Sequence, residues 1–256
     1  VEFRYNDILK LPERCLLNSR LTKSFFLKNF DLSTAEKKLV NTTINSMLWL
    51  GNIKPSNSNI QPVKNDNYVY SEIQVMVCTL PNNQLENYSN KCIDLFQKHI
   101  PYQMLVIVED ELEFIINTCD KRINQNNKSL RTIEGYFTTS IISKLYKNEL
   151  IASFYNALTF SMLDKTNLET TYKGLIQAVV QYKASIYTGG FKNRTRKRTE
   201  KDMTNLLAIE TIEKEIVSLI NQLKKESQLN SKVTLNVVIQ KKREDIKNIK
   251  NKLSTT

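Results

Sequence analysis

The chain has 256 residues, 41% of them hydrophobic and 25% charged, with five glycines and a formal net charge of +11. That apolar content supports one sizeable core or two small ones and excludes wholesale disorder, while the scarcity of glycine argues against Gly-rich phosphate cradles and turn-dense all-β folds. The charge is uneven: residues 191–256 carry sixteen Lys/Arg against eight Asp/Glu, and the first 190 carry twenty-one against eighteen.

Residues 1–30, around Leu11-Pro12, read as a short helix followed by extended chain. Ser33-Thr34-Ala35-Glu36 is a capping-box pattern. Val40, Ile44, Met47 and Leu48 follow it at helical spacing, which predicts a helix stopped by Gly51-Asn52 with Trp49 packed at its end. Residues 68–80 alternate Val69, Ile73, Val75 and Val77 with Tyr70, Glu72, Gln74, Met76 and Cys78, a strand covered on both faces. A helix is predicted over 84–99, ended by Pro101, then two strands over 104–119 joined near Glu109–Glu111, and a further strand over 132–137. From Ser140 the pattern predicts helices only, over 140–163 and 168–187, the second opened by a box at Thr166-Asn167-Leu168-Glu169.

Gly189-Gly190 breaks that pattern, and FKNRTRKRTEKD follows, with five cations from Lys192 to Arg198 and no acid among them. Beyond it Ile209, Ile212, Ile216, Leu219 and Leu223 form one heptad seam, and Leu235, Ile239, Lys242, Ile246, Ile249 and Leu253 a second, out of frame with the first. A helical hairpin turning near 227–231 is the preferred reading, and a dimerising coiled coil, giving a homodimer, is its rival. The fold class is therefore mixed α+β: a small central sheet of about four or five strands flanked by helices, followed by an all-helical C-terminal region. The expected parts are a body over 1–139, a helical extension over 140–188, a basic loop over 189–202, and a basic hairpin or coiled coil over 203–256.

No apolar run approaches the ~20 residues a bilayer span needs, and VEFRYNDILK lacks the layout of a signal peptide, so a cytoplasmic protein is expected. Cys15, Cys78, Cys92 and Cys119 are far apart, and His99 is the sole histidine, so no zinc-ligand spacing exists.

Three sets of residues carry possible chemistry. Lys192, Arg194, Arg196, Lys197 and Arg198, with Lys241, Lys242 and Arg243 on the last helix, are candidates for neutralising nucleic-acid phosphates. Tyr182, Tyr187 and Phe191 stand beside the first group, to stack on bases or pack under the loop. A solvated basic surface fits the same pattern. Glu72 and Gln74 share one strand face, with Asp66 six residues before Glu72, an arrangement that loosely matches the Mg²⁺ site of restriction-type nucleases, with Gln in place of the usual Lys. A buried polar pair is the plainer alternative. The seam residues Ile209, Ile212, Ile216, Leu219, Leu223, Leu235, Ile239, Ile246, Ile249 and Leu253 are the candidate interface.

Leu11-Pro12 with Asn18 and Arg20, Trp49-Leu50, Asn59-Ile60, Glu72-Ile73-Gln74-Val75, Ile100-Pro101-Tyr102 before Leu105-Val106, and the 225–236 turn together resemble the bacterial family called domain of unknown function 4391. Leu229 stands where that family carries an aromatic. The resemblance implies no activity. By association it implies a DNA-handling context beside helicases and DNA methyltransferases of defence loci. The expectation is a non-catalytic accessory protein of a restriction-modification or phage-defence complex, with a helicase or methyltransferase as partner, nucleic-acid contact through the basic end and no cofactor. The alternatives are an Mg²⁺-dependent nuclease using Asp66 and Glu72, and a homodimeric scaffold.

Overall fold

A computed structural model describes residues 3–128 and 130–254. The chain divides into two compact units, Val1–Val179 and Val180–Thr256. The first opens with α1 (Tyr5–Leu9), a 3-10 turn at Glu13–Cys15, β1 (Leu16–Leu21), α2 (Lys23–Asn29) and α3 (Thr34–Lys38). A π-turn over Leu39–Thr43 leads into β2 (Ser46–Ile53), α4 (Pro55–Ser58) and the small β3 (Val63–Lys64) and β4 (Val69–Tyr70). Then come β5 (Ile73–Thr79), α5 (Leu85–His99), β6 (Gln103–Glu109), β7 (Glu113–Ile123), β8 (Arg131–Thr138), β9 (Ile142–Ser143) and α6 (Glu149–Leu158). The division between the units falls inside α7 (Leu168–Thr188), and α8 (Arg196–Lys225) and α9 (Leu229–Ser254) complete the chain.

The architecture is mixed α+β, built on a seven-stranded sheet of order β1-β2-β5-β6-β7-β8, with β9 also on β7. Only β5 and β6 run parallel, joined by the α5 crossover; every other pair is antiparallel. Six of the seven residues in each of β5 and β6 are buried, as expected for strands covered on both faces. One face packs Met76, Cys78, Met104, Val106 and Val108 against Phe26, Val40, Ile93 and Phe96. On the other, Phe114 meets the rings of Tyr5 and Tyr155.

The sheet is larger than its sequence predicts, because two segments read as helix, 46–53 and 142–143, are strands and the extended chain over 16–21 pairs as a third. The Ser33 capping box forms as predicted, with Glu36 N–H donating to Ser33 Oγ and Ser33 N–H to Glu36 Oε2, but its helix ends at Lys38. Met47, Leu48, Trp49 and Leu50 then lie in β2, paired between β1 and β5. A short apolar run of that kind fits either period, and cross-strand pairing decides it. Gly51 is therefore not a helix stop: it sits at a register shift in β2, where a Cβ would lie 2.8 Å from Leu11 Cδ1 and 2.9 Å from Cys15 O. The predicted helix over 140–163 is instead β9, α6 and a 3-10 turn. At the start of α7 the reciprocal bonds join Asn167 and Thr170, one residue later than predicted.

Glu36 also ties the start of α3 to the end of α5, accepting bonds from Lys98 Nζ and His99 Nε2, each at 3.0 Å. Burial raises its pKa, but bonds from Ser33, His99 and Lys98 outweigh burial and hold it at about 2, against 4.5 unperturbed. A depressed carboxylate stabilises the fold above its unfolded pKa and loses that contribution as protons bind. Acid titration of unfolding should show stability falling from about pH 4.5 towards 2. Glu36→Gln should remove about 1–2 kcal/mol of that pH-dependent part. A variant with the parent's acid profile would show that Glu36 is not the titrating group.

Between β6 and β7 the sheet opens into a polar fork. The last paired residues are Leu105 and Thr118, so Gln103 and Met104 face no ladder partner on β7. Tyr172 of α7 fills the gap: its hydroxyl accepts Cys119 N–H at 3.1 Å and lies 2.7 Å from Cys119 O and 3.0 Å from Met104 O. Beyond it, fully buried Lys121 Nζ donates to Ile100 O and Tyr102 O, both at 2.8 Å.

In the second unit α8 and α9 form an antiparallel hairpin. Ile209, Ile216, Ile239, Ile246 and Leu253 are buried along its seam, at seven-residue intervals within each helix. Ile212, Leu219, Leu223, Leu235 and Ile249 flank them, partly buried. The seam is thus used within one chain.

Candidate nucleic-acid interface

The segment after Gly189 is loop only as far as Thr195. Thr195 caps α8 by accepting Arg198 N–H, so Arg196, Lys197 and Arg198 are helical. Around this helix start is a cavity of about 570 Å³ lined by Lys192, Asn193, Arg194, Thr195, Lys197, Arg198 and Lys201. Five of those seven residues are cations.

Their environments differ sharply. Asp202 is completely buried, in the same heptad frame as Ile209 and Ile216, seven residues before the first. Its Oδ1 accepts Arg198 Nε at 3.1 Å and Arg194 Nη1 at 3.4 Å, and Arg194 Nη1 also stands 3.2 Å from Oδ2. The far edges of the two guanidiniums meet the end of α9: Arg194 Nη2 donates to Leu253 O and Arg198 Nη2 to Lys252 O, both at 2.6 Å. Lys192 Nζ reaches Ser254 O at 3.4 Å. The Arg194 side chain is only 7% exposed. Lys197 and Lys201 are exposed.

The cavity thus unites four of the eight predicted phosphate-contacting residues, Lys192, Arg194, Lys197 and Arg198, and adds Lys201. Arg196 projects outside the lining, 3.7 Å from Glu200. Lys242 pairs with Glu215 across the hairpin at 2.5 Å. Lys241 and Arg243 are exposed on α9, about 12–15 Å or more along the helix from its last turn at 1.5 Å per residue. Tyr182 is buried, and Tyr187 carries Lys250 Nζ over its ring at 4.7 Å.

The other predicted site is a hydrogen-bonded relay at the sheet. Glu72 lies just before β5, outside the strand on which the sequence placed it with Gln74, and its Oε2 accepts Asn52 Nδ2 at 2.7 Å and Gln74 Nε2 at 2.8 Å. Gln74 Oε1 in turn accepts Trp49 Nε1 at 2.5 Å. Burial, then the charge and hydrogen bond of Glu72, raise the Tyr102 phenol. Asp66 is exposed in the turn between β3 and β4. Among the described residues no group of three or more His, Cys, Asp or Glu is placed to hold a metal ion, and no helix is long and apolar enough to cross a membrane.

The model of the family described as domain of unknown function (DUF4391) matches residues 9–246. The chain belongs to the DUF4391 family. No curated protein and no solved structure matches it. In this DUF4391 chain the matched span ends before the last turn of α9, so the carbonyls that meet Lys192, Arg194 and Arg198 lie beyond it. Sequence reasoning missed Lys201 and Asp202. The heptad frame holds a signal for the second, since it places a carboxylate where an apolar residue belongs.

Proposed function

We propose that this DUF4391 chain is a non-catalytic accessory protein that contacts the phosphate backbone of nucleic acid through the cavity at the start of α8. The observation that carries the reading is the convergence of five cations on that single cavity. Phosphate oxygens gain from such a lining through charge neutralisation and counterion release, and the positive end of the α8 dipole favours an anion further. Asp202 and the end of α9 hold Arg194 and Arg198 in the wall, while Lys197 and Lys201 meet the backbone from solvent. The family resemblance supplies the setting: a bacterial restriction-modification or phage-defence complex, with a helicase or DNA methyltransferase as protein partner.

The test is duplex-DNA binding across a salt series. Reversing both exposed lysines, Lys197→Glu with Lys201→Glu, should weaken binding about 10- to 100-fold near 0.1 M salt. The log–log salt slope should shrink by about two. An unchanged affinity and slope would remove the reading.

A further inference from the structure

The buried seam residues of the hairpin, Ile209, Ile216, Ile239, Ile246 and Leu253, all lie in the half remote from its turn. The half nearest the turn, residues 217–238, holds nine valines, leucines and isoleucines, and none of them is buried. Two helices leave the outer sides of such residues open to water, and bundles cover them with further helices. On α9 the exposure concentrates in Leu229 (75%), Val233 (55%) and Val237 (63%), which stand four residues apart and so share one face. The charge pattern marks the same stretch. Residues 227–240 contain one charged side chain, Lys232, whereas six of the seven residues over 241–247 are charged. A helix that met only water there would carry charges on its outer face, and depletion of charge is the composition of an interface core.

We propose that this face is a homodimer interface, in which α9 packs antiparallel on α9 of a second copy about a twofold axis at Val233. The occupant follows from the stripe's own symmetry. A twofold at Val233 sets Val233 on the partner's Val233 and Leu229 on the partner's Val237, apolar on apolar throughout. The flanking charges select the direction. Glu226 stands seven residues before Val233 and Lys241 eight residues after it. Antiparallel packing brings Glu226 to the partner's Lys241 at both ends, whereas parallel packing would set like charges together. Glu226 Oε1 accepts Ser227 N–H and Gln228 N–H, which fixes that carboxylate at the start of α9. The seam inside each hairpin is untouched, so the second copy adds an interface to the one already formed within the chain. A patch of a few aliphatic side chains is small for a permanent dimer, so the association is reversible and concentration-dependent.

Two measurements on the full chain decide it. Sedimentation velocity from about 1 to 200 µM should show a monomer–dimer equilibrium for the parent. Val233→Glu sets two carboxylates face to face on the axis and should weaken dimerisation about 100-fold, with the helical circular-dichroism signal kept. The second measurement is disulfide trapping with diamide as oxidant, which decides the matter alone if Val233→Glu folds poorly. Val233→Cys should cross-link to itself, and Leu229→Cys should cross-link to Val237→Cys when the two proteins are mixed. Leu229→Cys alone and Val237→Cys alone should link poorly, and the four native cysteines are buried. A parent chain monomeric throughout that range overturns the dimer and leaves the face to a different protein or to the chain's own first unit. A dimer that Val233→Glu leaves unchanged, or self-linking stronger at 229 or 237 than at 233, overturns it too, because the contact then lies elsewhere.

Discussion

Replacing Asp202 with alanine is expected to destabilise the α8–α9 hairpin by about 3–5 kcal/mol, the usual consequence of removing one partner from a buried ion pair. The carboxylate is wholly inaccessible and takes the Nε of Arg198 and the Nη1 of Arg194. Those guanidiniums stand at the start of α8, where the helix dipole disfavours cations. Without Asp202 two adjacent positive charges would lose their buried counter-charge in a largely desolvated place. Asp202→Asn should lose less, because the amide oxygen still accepts one bond. Combining Asp202→Leu with Arg194→Met and Arg198→Met should recover most of the loss, since an apolar cluster of similar volume replaces the whole network. Denaturant-dependent hydrogen exchange of the α8 and α9 amides reads the effect directly. A loss under about 1 kcal/mol for Asp202→Ala would mean that the arginines find other partners at little cost.

Lys121→Met should cost the first unit about 2–4 kcal/mol at neutral pH, because the carbonyls of Ile100, which is buried, and Tyr102 lose the ammonium that bridges them. The same substitution should alter alkaline behaviour. Burial pulls the Lys121 ammonium down from 10.5 to about 8, the dominant influence on it. In the folded chain the proton leaves near pH 8, whereas the unfolded chain keeps it until about 10.5. Between those values the unfolded state binds more protons, so stability rises with pH, by roughly 3 kcal/mol across the window. Urea midpoints measured from pH 7.5 to 10.5 should climb more steeply for the parent than for Lys121→Met. Parallel curves would indicate that the two carbonyl bonds keep the lysine charged throughout.

Both effects centre on polar groups that sequence reading passed over, for a common reason. Lys121 looks like one more surface cation in DKRI, and Asp202 looks like one acid ending a basic run. Each is buried by partners distant in the chain: Ile100 and Tyr102 for the lysine, and arginines that themselves reach Lys252 and Leu253 for the aspartate. Periodicity reports which positions turn inward on one element. It carries no record of what arrives from another. The Glu72–Gln74 pair illustrates the point from the other side. Its shared face was legible, but the amide donors that hold it, Asn52 and Trp49, came into reach only when 46–53 paired as a strand.

Alternation and heptad spacing by themselves determined the core of the strand read over 68–80, of which 73–79 is β5 while 69–70 belongs to the separate β3–β4 pair, together with the helix over 84–99, the strands over 104–119 and the seam of the last two helices, because each is a local repeat of apolar side chains. Composition alone likewise concentrated the positive charge past Gly190. Only the tertiary structure decided that 46–53 is a strand, that the sheet has seven members, and that Arg194 and Arg198 turn one edge to Asp202 and another to the end of α9. Those outcomes depend on hydrogen-bond partners as many as 59 residues away, and a main-chain carbonyl looks the same in every residue of a sequence.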